Sequence, residues 1–289
     1  MTGMLAVKVP STRAPMAGRL EVAFRRGPDG RTYIDRQFAS YPFHICRPHF
    51  LDPSLPSMAT LYCQSVSGGL FAGDRLQSRF EAGPAAQVHV TTQASTIVHS
   101  MEEGDARQQM RIVAGTDSFV EFLPDPAILF PRARLKSRLE IQIHPSASVI
   151  CADAFLHHDP DGLDEAFGSF ESEITVRRGR EAPLVVDRQG VEGADLIDRR
   201  IGVFGAYLVQ GTFMVMTQKL APTALLPDIR QALEGHEGIY AGASLLPGDC
   251  GVWARLLAVD GACFKAGLEA VWGAARVALT GAAAPPRRK

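Results

Sequence analysis

Leu139, Ile141 and Ile143 alternate with Glu140, Gln142 and His144. A β-strand turns this period of two into one apolar and one polar face, whereas an α-helix would scatter it around its axis. Short apolar runs of the same kind recur from about residue 18 to 220, at Gln87 to Thr91, Phe119 to Leu123, Val149 to Phe155, Glu173 to Val176 and Leu184 to Val186, with Gly, Pro, Asp and Ser between them. A slower rhythm lies over this one. Gly83, Gly115 and Pro145 each precede an apolar strand by four or five residues (Val88, Phe119, Val149), at steps of 32 and 30 residues. That period suits β units that stack to bury a core none could bury alone, although evenly spaced hairpins in any all-β chain would give a similar one. The fold expected is mainly β, a stacked or helical arrangement of many strands with a few α-helices.

Helical signals are few and late. Pro227 suits a first helical position and Gly235 a C-terminal cap, bracketing Asp228 to Glu234. From Cys263 to Leu279, the residues Phe264, Leu268, Val271, Trp272, Ala275 and Leu279 recur at helical spacing, and Gly281 can stop the helix. This is the longest helix expected, with one face on the sheets. Asp159 to Phe167 is a further short candidate, weakened by Gly162. The chain therefore divides into an N-terminal tail (1–17), a β-rich core (18–220), an αβ part packing on the same core (221–281) and a frayed tail (282–289).

Composition narrows the function. Thirty basic against 31 acidic side chains leave no chain-wide field to attract phosphate, so neither nucleic acid nor an anionic membrane is an expected partner. The most apolar stretch, Ile201 to Met216, is broken by Gln210 and three glycines and is shorter than the ~18 residues of a membrane helix. It reads as paired buried strands. The N-terminus lacks a charged-then-apolar leader pattern. Five cysteines, an odd number with no CxxC spacing, fit reduced thiols in a cytoplasmic protein.

Gly68 and Gly73 have phosphate-loop spacing, but Asp74 stands where that loop needs Lys. A carboxylate there would repel phosphate, and the structural reading is a tight bend with Asp74 bonded to turn amides. His44-Ile45-Cys46 with His49, and Cys151, Asp153, His157 and His158, offer metal-ligand chemistry without the paired spacing of a closed zinc site. Cys151 and Asp153 share a strand face. A carboxylate on that apolar strand is costly to bury unless it is paired with an arginine or lines a polar passage that offers a divalent ion transient ligands. Neither GxSxG nor HExxH is present.

The ordered strings Ser67-Gly68-Gly69 through Gly73-Asp74, Thr91-Thr92-Gln93-Ala94-Ser95-Thr96, Glu121-Phe122-Leu123-Pro124 through Phe130-Pro131-Arg132-Ala133, Leu184 to Arg188 and Tyr240 to Leu245 resemble the urease accessory protein UreD (UreH) family over most of the chain. The chain departs from the family pattern at Ile97-Val98-His99-Ser100 and at its C-terminal Pro285-Pro286-Arg287-Arg288-Lys289. The resemblance implies two layers of strands and a role without catalysis. It implies a scaffold for nickel insertion that contacts apo-urease, joins the UreF and UreG partners and conducts Ni²⁺ through an internal tunnel. No tightly bound cofactor is implied, only transient Ni²⁺. The metal-path candidates are Asp153, Asp74, Asp187 and Cys151, with Asp153 foremost; Gly68, Gly69, Gly73, Thr91, Thr92, Glu121 and Pro124 are motif positions. Two other readings stay open: an all-β enzyme using carboxylates such as Glu121 and Asp153, and an interaction module in which Asp74, Asp153 and Asp187 sit in salt bridges.

Overall fold

The computed structural model describes residues 14–179 and 182–286. Residues 1–13 of the expected N-terminal tail and 287–289 of the C-terminal one lie outside the described residues. The described chain is mainly β, 45% strand against 15% helix. Its strands form two facing sheets. The first holds β1 (Ala17–Arg26), β2 (Thr32–Ala39), β5 (Arg75–Ala82), β8 (Ala106–Ala114), β11 (Arg134–Ile143), β13 (Ser169–Arg177) and β14 (Val185–Glu192). The second holds β3 (Phe43–Ile45), β4 (Ala59–Ser65), β6 (Gln87–Thr92), β9 (Phe119–Phe122), β12 (Ser148–His157), β15 (Val209–Met216), β16 (Ile239–Leu245) and β17 (Gly251–Ala258), with the short β7 (Ile97–Val98) and β10 (Ala127–Leu129) beside it.

From β4 to β13 the chain passes back and forth between the sheets, and each return lays a strand parallel to its predecessor, β1-β5-β8-β11-β13 in one layer and β4-β6-β9-β12 in the other. Val88, Val120 and Val149 stand side by side, at steps of 32 and 29 residues. The expected repeat is therefore present, with its third corner one residue earlier than Pro145 and its second strand one later than Phe119. The corner turns close in the same way at each level: Ala86 donates to the Gly83 carbonyl, Ser118 to Gly115 and Ala147 to His144. A side chain at Gly115 would put its Cβ 2.8 Å from the Ala82 carbonyl oxygen of the corner below, so the stacking itself calls for glycine.

Alternation then fills the interlayer space. Leu20, Phe80, Ile112, Leu139 and Ile174 from the first sheet meet Val90, Phe122, Cys151 and Met214 from the second. The second sheet is apolar on its other face too. Ile150, Ala152, Phe213, Val215 and Ala254 are covered there by α2 (Pro222–Leu233) and α3 (Gly261–Thr280). The side chain of Asp260 caps α3 by accepting from the Cys263 amide at 2.7 Å, and Gly281 ends it at φ 71°. α2 starts five residues before the expected Pro227. Pro222 occupies the first turn and Pro227 lies inside the helix, because Leu225 and Ile229, the residues buried on the sheet, set its extent. Asp159 to Phe167 forms turns without a helix, and only Val209–Met216 of the Ile201–Met216 stretch is strand, with Ile201 95% exposed. The five-residue α1 (Gly193–Ile197) follows β14. Among the described residues no helix is long and apolar enough to cross a membrane.

α3 seats Phe264 directly over Gly211 of β15, where a Cβ would lie 2.4 Å from two ring carbons. Gly211→Val should therefore lower stability by about 1–3 kcal/mol through overpacking, read as a reduced urea midpoint. An unchanged midpoint would mean that α3 does not depend on this contact.

Candidate functional site

Two groups of polar side chains are buried in and around the second sheet, on opposite faces. Glu121 of β9 is fully buried and points outward, under α3. It accepts hydrogen bonds from the Trp272 indole N–H at 2.8 Å and from Arg276 Nη1 at 3.4 Å, and it lies 2.7 Å from His89 Nδ1. Arg276 is itself 1% exposed and also pairs with Asp52. The group ties α3 to strands and a loop that precede it by more than 150 residues. It is a structural clasp.

Facing the interior, β12 presents Val149, Cys151, Asp153, Phe155 and His157. Cys151 is packed in the apolar core, and burial pushes its thiol well above the ordinary range. Asp153 is 6% exposed and accepts from Ser172 Oγ at 2.5 Å, a hydroxyl reaching across from β13 of the other sheet. It joins no ion pair among the described residues, so the arginine partner considered for it is not found there. Burial raises its carboxyl to about pH 6, the Asp187 charge adds to the rise, and the Ser172 hydrogen bond opposes it.

Asp153 stands at the inner wall of an interlayer cavity of about 320 Å³. Gly68, Gly69, Thr91, Thr92 and Pro124 line the same cavity, which reaches exposed residues at Gln93 and Ala94. Five motif positions from three separate strings thus converge on it with the foremost metal-path candidate. Thr92 Oγ1 accepts from the Asp125 amide at 2.9 Å and Thr91 Oγ1 donates to the Leu123 carbonyl at 2.6 Å, which explains the two threonines as clamps between neighbouring coils. Gly69, at φ 133°, has no room for a side chain: a Cβ would lie 2.5 Å from the Ile97 carbonyl. The divergent Ile97–Ser100 segment packs on this loop, with the His99 ring stacked on Phe71 at 4.3 Å.

On the other side of Asp153 polar groups continue between the layers. Gln210 donates to Gln189 at 3.0 Å, and Arg255 Nη2 holds both carboxylate oxygens of Asp187, at 3.0 and 2.9 Å, in a half-buried ion pair that joins β17 to β14. Thr212 Oγ1, opposite Asp153 on β15, and Arg255 Nε are buried without partners. Orphaned polar atoms of this kind suit an interior that admits water or an ion. Ser172, Thr212 and Arg255 were not singled out in the sequence, and Gln210 only as a break in the apolar stretch Ile201 to Met216. Their signal is a polar residue at an inward position of an otherwise apolar alternation, as in Phe170-x-Ser172-x-Ile174.

The remaining candidates lie elsewhere. Asp74 is buried 58 residues from its partner in sequence, accepting from the Met16 amide at 2.7 Å and the Phe71 amide at 2.9 Å, the turn role expected of it. Gly73 permits the adjoining turn at φ 83°. His157 packs on Phe167 and His158 on Phe130, so the midway cluster does not converge. Among the described residues no three His, Cys, Asp or Glu side chains form a metal cage. Glu121 and Asp153 face opposite sides of one sheet and cannot share a catalytic pocket.

Two stability predictions follow from these networks. Arg276→Met leaves Asp52 and Glu121 buried without their cation and should cost about 3–5 kcal/mol in chemical denaturation; a neutral result would remove the clasp. Asp153→Asn should instead stabilise the fold at pH 7, by about 1–3 kcal/mol. The folded-state carboxyl titrates near 6, above its unfolded value near 3.8, so its contribution to stability is greatest below pH 3.8 and is lost as pH rises through 6. The advantage of Asn should accordingly shrink as pH falls from 7 toward 4; a difference constant over that range would contradict the burial of the charge.

Comparison with known proteins gives a consistent result. A family model described as UreD urease accessory protein matches residues 16–289. The chain is 40% identical over 268 residues to the protein named Urease accessory protein UreD 1 of Pseudomonas syringae pv. syringae, covering 93% of this chain and 94% of that one. It is similar, at 39% identity over 280 residues and coverages of 96% and 94%, to the UreD 1 of Methylorubrum populi. A UreD 2 of Streptomyces griseus is 33% identical over 97% of this chain and 98% of its own.

Proposed function

Since the chain belongs to the UreD urease accessory protein family and so has its role in urease maturation, we propose that it serves as a cytoplasmic scaffold between apo-urease and the UreF and UreG partners and conducts Ni²⁺ between its two β-layers. The observation that supports conduction is the buried Asp153 carboxyl at the wall of the interlayer cavity, continued by polar groups to the half-buried Asp187–Arg255 pair. Nickel is the cargo here. Imidazole and thiolate cages would bind it tightly and release it slowly, whereas one carboxylate, hydroxyls, amides and water give shallow sites that an ion can leave.

The residues take separate parts. Asp153 supplies an interlayer carboxylate that joins no ion pair among the described residues, and in a space of low dielectric its charge draws a divalent ion strongly. Ser172 holds its orientation. Asp187 balances Arg255, which otherwise would repel a cation at that end of the path. Cys151, packed in the apolar core and kept as a neutral thiol by burial, contributes no ligand. Asp74 acts on the path only by fixing the glycine-rich loop at the cavity rim. No chemical step is assigned to the chain, and the placement of Glu121 beneath α3 separates it from Asp153 as a catalytic pair.

The test is co-expression with the cognate urease subunits and the UreF and UreG partners, with nickel measured per purified urease. Asp153→Ala should reduce nickel toward the level found without this chain while pull-down of the partners stays unchanged. Full nickel loading by the variant would take Asp153 off the path.

A further inference from the structure

His44 lies on β3 and Cys46 one residue past its end, and both side chains turn to the same neighbour, Gln64. The antiparallel pairing of β3 with β4 sets Gln64 opposite His44. Three donor atoms of different chemistry meet there: His44 Nδ1 and Gln64 Oε1 are 3.0 Å apart, Cys46 Sγ and Gln64 Oε1 3.2 Å, and Cys46 Sγ and His44 Nδ1 3.7 Å. Around an ion bound at about 2.0–2.1 Å to nitrogen or oxygen and about 2.3 Å to sulfur, tetrahedral geometry separates the donors by about 3.3–3.6 Å. The triangle is already near that size.

We propose that His44, Cys46 and Gln64 form a surface site for one borderline divalent ion, Ni²⁺, Co²⁺ or Zn²⁺, on the rim of the interlayer cavity, whose lining includes Gln64. The donor set excludes Mg²⁺ and Ca²⁺, which take oxygen ligands. The backbone around it is anchored: Phe43 N donates to the Ser40 carbonyl at 2.8 Å, and His49 and Thr60 exchange backbone hydrogen bonds at 2.8 and 2.7 Å on the far side. The site is open, with His44 exposed and Cys46 half-buried, which leaves the remaining coordination positions to water and lets the ion exchange. The other four thiols compete poorly. Burial raises those of Cys63, Cys151 and Cys250, the hydrogen bond with Asp260 raises that of Cys263, and the neutral form is a poor ligand. Nothing in this assignment depends on conduction past Asp153.

Titrating the purified full chain with Co²⁺ under reducing conditions should give a near-ultraviolet thiolate-to-cobalt band that saturates at one equivalent and is displaced by Ni²⁺ or Zn²⁺ but not by Mg²⁺. Cys46→Ser should abolish the band, and His44→Ala should weaken the affinity about tenfold or more. Asp153→Asn and Cys63→Ser should leave it unchanged. Absence of the band, its survival in Cys46→Ser, or unchanged affinity in His44→Ala overturns the site. In the unmutated chain, one equivalent of Zn²⁺ should protect Cys46 from alkylation, mapped by mass spectrometry, and an equally reactive Cys46 would overturn the proposal without recourse to any variant.

Discussion

Two parallel ladders joined by stacked corners impose the constraint from which the rest of the molecule follows. Each coil adds one strand to each sheet, and the ladder registers at steps of 32 and 29 residues, so any inward position lies beside its counterpart in the coils before and after. Apolar positions therefore extend the core from coil to coil. Polar positions accumulate as well: Gln108, Ser137, Ser172 and Gln189 occupy one level across the first sheet, facing Asp153, Thr212 and Arg255 of the second. The interlayer polar path is a product of register, not of any local motif.

Its cost distinguishes it from the other buried polar group. Glu121 has an indole N–H, an arginine and a histidine around it, and Arg276 has a second carboxylate in Asp52. Every major charge there is answered, and the assembly fixes the position of a helix. Asp153 has one hydroxyl, and its carboxyl titrates near 6 because its ionised form is poorly compensated. Groups left in this condition concentrate at functional positions. The contrast lies within a single sheet, on neighbouring strands and on opposite faces.

Much of this was legible in the sequence. Period-two alternation predicted the strands at Gln87, Phe119, Leu139 and Val149, and the spacing of Gly83 and Gly115 revealed the stacking, because backbone corners that lie on one another demand small residues. The third corner was displaced by one, since Pro145 is the visible punctuation while His144 makes the equivalent turn bond. The helix over Cys263 to Leu279 was readable from its apolar stripe and its glycine stop. The start of α2 was not, because two prolines compete for the first turn and only the burial of Leu225 decides between them. The sequence brought Asp153 forward as an anomaly on its strand, but parity within separate strands cannot show that Glu121 faces the other way. Arg276 escaped notice for a related reason: it interrupts an apolar stripe, and its justification lies in Asp52, 224 residues earlier.

That last distance bears on how the molecule is made. The outer face of the second sheet, with Phe119, Ile150, Phe213 and Val252, is closed only when α3 lies down on it, and α3, Gly261–Thr280, is the last helix of the described residues. During synthesis the coils can stack in order as they emerge, since each needs only its predecessor. The apolar back of the sheet remains uncovered until the last helix leaves the ribosome and Arg276 finds its two carboxylates. A nascent chain that has stacked its coils but not yet released α3 is therefore already layered and still adhesive, the kind of species that transiently exposed apolar surface makes prone to aggregation.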